Sequence, residues 1–493
     1  MKLSIPFRQP FCFMAALLYI LPLHAQQKNN PYSFSNLPQV RETSFKKDTL
    51  NIIRFGAKND GITLNTKSIN EAILACHKSG GGVVLIPSGL WLTGPIELKS
   101  NVNLHLQNAL LQFTKDFNQY QLVKGNWEGI PQMRNQSPIW ASHAENIAIT
   151  GYGIIDGNGD AWRAMKRDKL TESQWSKLVA SGGVVSADQR IWYPSAKSLK
   201  GSEFKNPGAI AAVKTPEFYA SVKDFLRPNL LVLTSCKRIL LEGVTFQNSP
   251  AWNLHPLLSE DLMVRDVYVK NPWNAQNGDG IDVESCKNVW IEGSTFDVGD
   301  DGICIKSGRD SAGRKRGMPT ENVVVRNSTV YHAHGGFVIG SEMSGGANNL
   351  FIYNCSFIGT DVGLRFKTTR GRGGVVEAVY AKNIVMKDIA GEAILFDMYY
   401  MAQDPVPLKG EKRETPPLVN FPVTEETPVF RDFHISNIVC NGAARAIFIR
   451  GLPEMKISDI YLENMVIKAK AGIEIKEAKN VYQKNISVIL EKD

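Results

Sequence analysis

Past its first 25 residues, this 493-residue chain lacks any apolar run near the eighteen residues a membrane-crossing helix needs, which excludes an integral helical membrane protein. Cysteine is scarce as well: seven in all, one of them (Cys12) inside the first 25. The other six, Cys76, Cys236, Cys286, Cys304, Cys355 and Cys440, form no CxxC pair and are too sparse for a disulfide scaffold. A zinc site is therefore excluded, and small buried core residues are expected. Few segments between 230 and 493 have the length or apolar period of an amphipathic helix. One-sided charge is lacking too. The 56 Lys and Arg against 48 Asp and Glu leave only +8, so neither nucleic acid nor a membrane surface is an expected partner, and a monomer is expected.

The first 25 residues do carry a pattern. Lys2 and Arg8 precede the apolar run Phe11 to Leu23, and Ala25 closes "LPLHA", which reads as a signal peptide. An exported protein is expected, with periplasm and medium both open.

What the rest of the chain has in abundance is self-similarity. "NIAITGYGIIDG" at 146, "RILLEGVTFQNS" at 238, "LMVRDVYVKN" at 262, "NVWIEGSTFDVG" at 288, "NVVVRNSTVYHA" at 322, "NLFIYNCSFIG" at 349, "NIVMKDI" at 383 and "ISDIYLENMVI" at 457 repeat one unit. Each is a short apolar strand, a Gly/Asn/Asp corner and a second short strand. Strands this short cannot bury both faces within one unit, so each coil must stack on the next, with hydrogen bonds between coils and an apolar column inside. The expected fold is all-β: a single-stranded right-handed parallel β-helix. A sandwich or propeller would need tight hairpin loops at the corners, which the spacing does not provide.

Such a solenoid needs its first coil covered. In "NTKSINEAILACHKSGG", Ile69, Ala72, Ile73 and Cys76 fall at helical spacing and Gly80 to Gly82 end the run, which predicts an N-terminal capping helix. Residues 26–47 read as an extended polar leader and 48–493 as the β-helix domain. Two segments, about 158–229 and 401–430, interrupt the repeats and are expected to project beside a binding groove.

In "DVGDDGICIKSG", Asp300 and Asp301 stand side by side between Gly299 and Gly302. Asp279, in "NGDGIDVES", lies 21 residues earlier, about one coil. Coils rise by about 4.8 Å, so the three carboxylates are expected to share one patch. A single such Asp more often caps a turn. Three together repel unless one holds a proton, and a proton retained near neutral pH is what a general acid supplies. The two glycines are expected to permit the bend that turns both aspartates outward. One coil on, "YHAHGGFVIGSEMSGG" brings His334, and "GLRFKT" sets Arg365 and Lys367 on one face of a strand, a pair suited to an anionic ligand.

In order and spacing, "NGDG", "GDDGICIKSG", "AHGG" and "RFK" resemble the four signature motifs of the polygalacturonases, glycoside hydrolase family 28, over nearly the whole chain from about residue 48. The resemblance implies hydrolysis of α-1,4 links between galacturonic acid units of pectin, with inversion and without metal or other cofactor. By motif position it makes Asp300 the general acid, Asp279 and Asp301 the holders of the attacking water, and His334 the support for the acid's protonation. Arg365 and Lys367 match the pair that grips a uronate carboxylate, and Asn277 of the first motif is expected at the substrate. His255 in "SPAWNLHP" and Tyr399 in "FDMYY" are expected to line sugar subsites, as are Trp252 and Tyr400 beside them. Two positions depart from the pattern: Gly278 replaces the usual Thr and Phe366 the usual Ile. "SEMSGG" looks more like the exo-acting members, and the insertion at 158–229 is expected to close the groove at one end. A rhamnogalacturonan or xylogalacturonan hydrolase on the same fold is the nearest alternative. A Ca²⁺-dependent pectate lyase is the alternative from another class.

Overall fold

The computed structural model describes residues 31–210, 214–401 and 416–491; the expected signal peptide and most of the stretch from 401 to 415 lie outside them. Among the described residues, thirty strands join in one continuous parallel sheet wound into a right-handed β-helix. Only Ser33, Gln132 and two small antiparallel sheets stand apart from its parallel pairing.

The alternation of residue types explains the winding. In the strands Ile281–Glu284, Asp301–Lys306, Gly335–Ile339 and Leu364–Lys367, every second side chain points inward and stacks on its counterpart one coil away. Ile281, Ile303, Phe337, Leu364 and Ile394 form one inner file. Val283, Ile305, Ile339, Phe366 and Phe396 form the next, and all ten are fully buried. Burying each such side chain is worth about 1.5–3 kcal/mol, so the stack as a whole, rather than any single coil, is the stable unit.

Asparagine holds the corners. Asn322 donates to Asn288 at 3.0 Å and Asn349 to Asn322 at 3.1 Å. At another corner Asn354, Asn383, Asn437, Asn464 and Asn485 form a longer file, each amide donating to the one before at 2.9–3.4 Å. These residues have φ near +55°, the left-handed region that Asn tolerates better than other side chains.

The capping helix α1 spans Thr66–Lys78 and buries Ile69, Ala72, Ile73 and Cys76 against the first coils, as the spacing predicts. The described part of the leader is an ordered strap along the outside. Phe34 sits edge-on to Phe351, Pro38 accepts from Trp290 Nε1 at 2.7 Å, Arg41 pairs with Asp261 at 2.5 Å, and Ser44 bonds Asn146. All six cysteines outside the first 25 residues are buried and unpaired.

Two excursions leave the coil near the residues of interest. An antiparallel hairpin, β1 (Leu122–Trp127) and β2 (Ile130–Asn135), stands out from the solenoid. The insertion at 158–229 holds three short helices, Glu172–Ala180, Ala196–Ser202 and Pro216–Ser221, and a small antiparallel sheet. It braces the hairpin: Met133 N donates to Gly208 O at 2.8 Å, and the Asn135 amide donates to the carbonyls of Lys223 and Leu226.

Candidate active site

Four successive coils carry the site: β3 (Ile281–Glu284), β4 (Asp301–Lys306), β5 (Gly335–Ile339) and β6 (Leu364–Lys367). Asp279 and Asp300 precede β3 and β4, Asp301 opens β4, and His334 precedes β5. Strict alternation would send Asp301 inward with Ile303 and Ile305. It emerges instead on the face of Cys304 and Lys306, because the alternation slips at Gly302. A Cβ there would meet Val330 Cγ1 at 2.5 Å, and one at Gly299 would meet the Pro272 carbonyl oxygen at 2.6 Å. Neither glycine has positive φ, so both are required by close packing and not by an unusual bend.

The slip brings Asp279, Asp300 and Asp301 together, with one oxygen of each lying within 4.8 Å of the others. His334 Nδ1 is 3.2 Å from Asp300 Oδ1, and its Nε2 faces Asp361 at 3.8 Å. Asp301 is held on both oxygens, by Arg365 Nη1 at 3.0 Å and Lys367 Nζ at 2.6 Å. Lys306, from the same strand, reaches Glu342 at 3.1 Å and Asp282 at 3.5 Å. Apart from Asp282 and Asp361, these groups line, with Glu128, Arg309, Arg372 and Tyr400, a cleft of about 220 Å³.

The charges divide the three carboxyls. Burial pushes Asp279 well up, and the charges of Asp282 and Asp300 add to it. Burial acts the same way on Asp300, but the charge and hydrogen bond of His334 outweigh it and hold Asp300 below the usual range. Lys367 and Arg365 hold Asp301 lower still. Burial opposes the charge on His334, yet Asp300 raises its proton affinity. Glu342 falls to about 2, since Lys306 and Arg372 overcome its burial. Of the three carboxyls only Asp279 has its proton affinity raised, and beside Asp300 it is His334 whose affinity is raised. Three carboxylates this close also have the spacing of a cation site. Lys367, Arg365 and His334 compete with any such ion, because they already contact oxygens of Asp301 and Asp300.

The hairpin borders the cleft. The hairpin turn at Glu128–Gly129 crosses to the far rim, where Glu128 pairs with Arg309 at 3.0 Å. The approach is so close that a Cβ on Gly129, whose φ is +77°, would meet Arg309 N at 2.6 Å. Trp127 stacks on Trp252 beneath it, ring centroids 5.7 Å apart.

The sequence model described as "Glycosyl hydrolases family 28" matches residues 220–412, a span that contains all four motifs. The solved structure of a hyperthermoactive exopolygalacturonase from Thermotoga maritima is 31% identical and superimposes with a TM-score of 0.73 over 92% of this chain and 94% of that one. The chain belongs to glycosyl hydrolase family 28. Among curated family 28 relatives, an exo-poly-alpha-D-galacturonosidase of Dickeya chrysanthemi is 31% identical over 74% of this chain and 59% of its own length. A probable polygalacturonase of Vitis vinifera is 26% identical over 87% of this chain and 76% of its own length.

The two departures from the family 28 pattern have local causes. Phe366 faces the interior, fully buried, with its ring 4.6 Å from Phe396 and 5.0 Å from Phe433, so it alters the core and not the cleft. Gly278 turns where a Cβ would meet Ala275 O at 2.8 Å.

Two expected subsite residues are not in the cleft. His255 is buried one coil before Asp282, between Asn229 at 3.1 Å and Glu284 at 2.8 Å, so it orders the floor beneath. Tyr399 is turned away, its ring between Arg370 and Arg450, and its neighbour Tyr400 lies over Lys367 instead. Asn277 does line the cleft, where its side-chain oxygen accepts from Arg227 at 2.9 Å. Lys306 and Glu342 were overlooked although both stand inside quoted motifs: a lysine ending an apolar strand and an acid beside two serines were the available signals. Nothing in the local sequence marks Glu128.

Proposed function

We propose that the protein is an exported, exo-acting polygalacturonase that hydrolyses α-1,4-linked galacturonic acid by single displacement with inversion. The observation that carries this reading is the convergence of Asp279, Asp300 and Asp301 beside Arg365 and Lys367. Asp300 protonates the departing glycosidic oxygen and His334 resupplies that proton. Asp279, once ionised, and Asp301 orient and deprotonate the attacking water. Lys367 has further ammonium hydrogens, and Arg365 Nε has no acceptor among the described residues, so both can take a uronate carboxylate while still holding Asp301. Exo action is supported by the hairpin, by the insertion that braces it, and by the exo-acting relatives. Export is supported by the pattern of residues 1–25, and among the described residues no helix is long and apolar enough to cross a membrane.

Carboxylate spacing argues for a second reading of the stereochemistry. Inverting enzymes typically separate the two groups by about 6.5–9.5 Å and retaining ones by about 5 Å, which is nearer the distance here. We keep inversion because both oxygens of Asp301 are engaged by cations, which weakens that carboxylate as a nucleophile. Proton NMR of the newly formed anomeric centre tests this directly: α-linked substrate must first give β product, and initial α product overturns inversion. Product sizes test the rest. Mono- or digalacturonate released from the start supports exo action, whereas rapid shortening of polygalacturonate with little reducing sugar overturns it. Faster cleavage of rhamnogalacturonan or xylogalacturonan, or an unsaturated product that absorbs in the ultraviolet and disappears with chelator, would replace the substrate or the reaction class.

A further inference from the structure

Behind the hairpin lies a second cavity, of about 320 Å³, between the hairpin and the insertion at 158–229. It shares Glu128 and Asn277 with the catalytic cleft, so the two spaces adjoin. Its walls hold two arginines from distant parts of the chain, Arg134 on β2 and Arg227 at the end of the insertion. Neither forms an ion pair among the described residues. Arg134, only 8% exposed, lies over the Trp127 ring at 3.8 Å and donates from Nη2 to the Arg227 carbonyl; its remaining donors have no partner among the described residues. Arg227 donates to the carbonyls of Pro250 and Gln276 and to Asn277 Oδ1, all at 2.9 Å, and all neutral acceptors. The one carboxylate on the cavity wall, Glu128, is already paired with Arg309. Burial lowers both guanidinium groups, Arg227 to about 10, and the charge of Glu128 on both, with Asp279 and Asp300 on Arg227, offsets it only in part.

Two neighbouring cations, one buried and one half-buried, that form no ion pair are costly to hold, and an anion that enters the cavity lowers that cost. We infer that Arg134 and Arg227 form a carboxylate-binding subsite for the terminal uronate of the substrate, which lies in the hairpin cavity while Arg365 and Lys367 hold a uronate on the other side of the scissile bond. The inference rests on the proposed substrate class. It makes the enzyme read two carboxylates, one on each side of the cut, and makes a free terminal carboxylate a condition for tight capture.

The test is calorimetric titration of the full-length protein with galacturonate and with galactose, sugars that differ by the carboxylate. The unaltered protein is expected to bind galacturonate at least about tenfold more tightly. Arg134→Met and Arg227→Met should each lower that ratio severalfold, to the preference that Arg365 and Lys367 alone confer, without weakening galactose, and Arg134→Lys should restore part of it. A ratio near one in the unaltered protein overturns the inference, as does a ratio untouched by both substitutions or an equal loss for both sugars. Turnover of polygalacturonate by the unaltered protein is followed in parallel. Its absence would sink the proposed function, whereas the affinity ratio is read without catalysis and decides the subsite alone.

Discussion

The asparagine corner and the acidic cleft are built by the same device and turned to opposite ends. Both stack one residue of each coil above its counterpart in the next. At the corner the stacked groups are alike, neutral and mutually satisfied, amide on amide from Asn354 to Asn485. In the cleft they are unlike and charged: Asp301 under Arg365 and Lys367, Lys306 between Asp282 and Glu342. The corner spreads stability over many equal, replaceable contacts. The cleft concentrates charge in a few buried pairs, where loss of one partner strands the other.

The largest effect expected from breaking this contrast is catalytic. Asp300→Asn should lower kcat by roughly 10²–10⁴-fold with oligogalacturonate binding retained, measured by reducing-sugar release and titration. A galacturonide with a good aryl leaving group needs no acid and should recover much of that loss. If Asp279→Asn shows the recovery and Asp300→Asn does not, the acid is Asp279, the carboxyl whose proton affinity burial raises. Next comes stability. Lys367→Met leaves Asp301 buried with one partner fewer and should cost roughly 3–5 kcal/mol in denaturant unfolding.

A third effect follows pH. The proton affinity of His334 is raised in the fold, so its pairing with Asp300 is present in full below the unfolded imidazole value of about 6.5 and fades as pH climbs past the folded value. Activity should therefore decline on the alkaline side through His334, and on the acid side as Asp279 takes up its proton. His334→Asn should flatten the alkaline limb of kcat/KM. The smallest effect sharpens the comparison from the other side. Asn383→Ala, at φ +54°, should cost about 1 kcal/mol and leave turnover unchanged.

The same contrast explains what could be read from the sequence. Repetition is visible in a string of letters, so the coils, the inward files and helix α1 followed from apolar spacing alone. The carboxylates were legible because Asp279 and Asp300 are one coil apart and Asp300 and Asp301 adjoin. What stayed hidden depends on register between distant coils. Asp301 meets Arg365 across 64 residues and Lys306 meets Glu342 across 36, so the cations expected to wait for substrate are already holding a carboxylate. The insertion at 158–229 braces the hairpin at 122–135, and it is this hairpin that reaches the cleft, because Gly129 can approach Arg309 as no residue with a Cβ could. His255 shares the outward file of Arg365 but lies four coils away beneath Glu284, and Tyr399 lies past the end of its strand between Arg370 and Arg450, so neither lines the cleft.

The proposed exo action would give this solenoid a way of counting. An open trough meets a polymer anywhere along its length and is offered as many targets as there are links. A dead-end trough is offered one per molecule. At a fixed mass of substrate, longer chains then mean fewer targets, and the rate of trimming depends on how thoroughly some other agent has already fragmented the polymer.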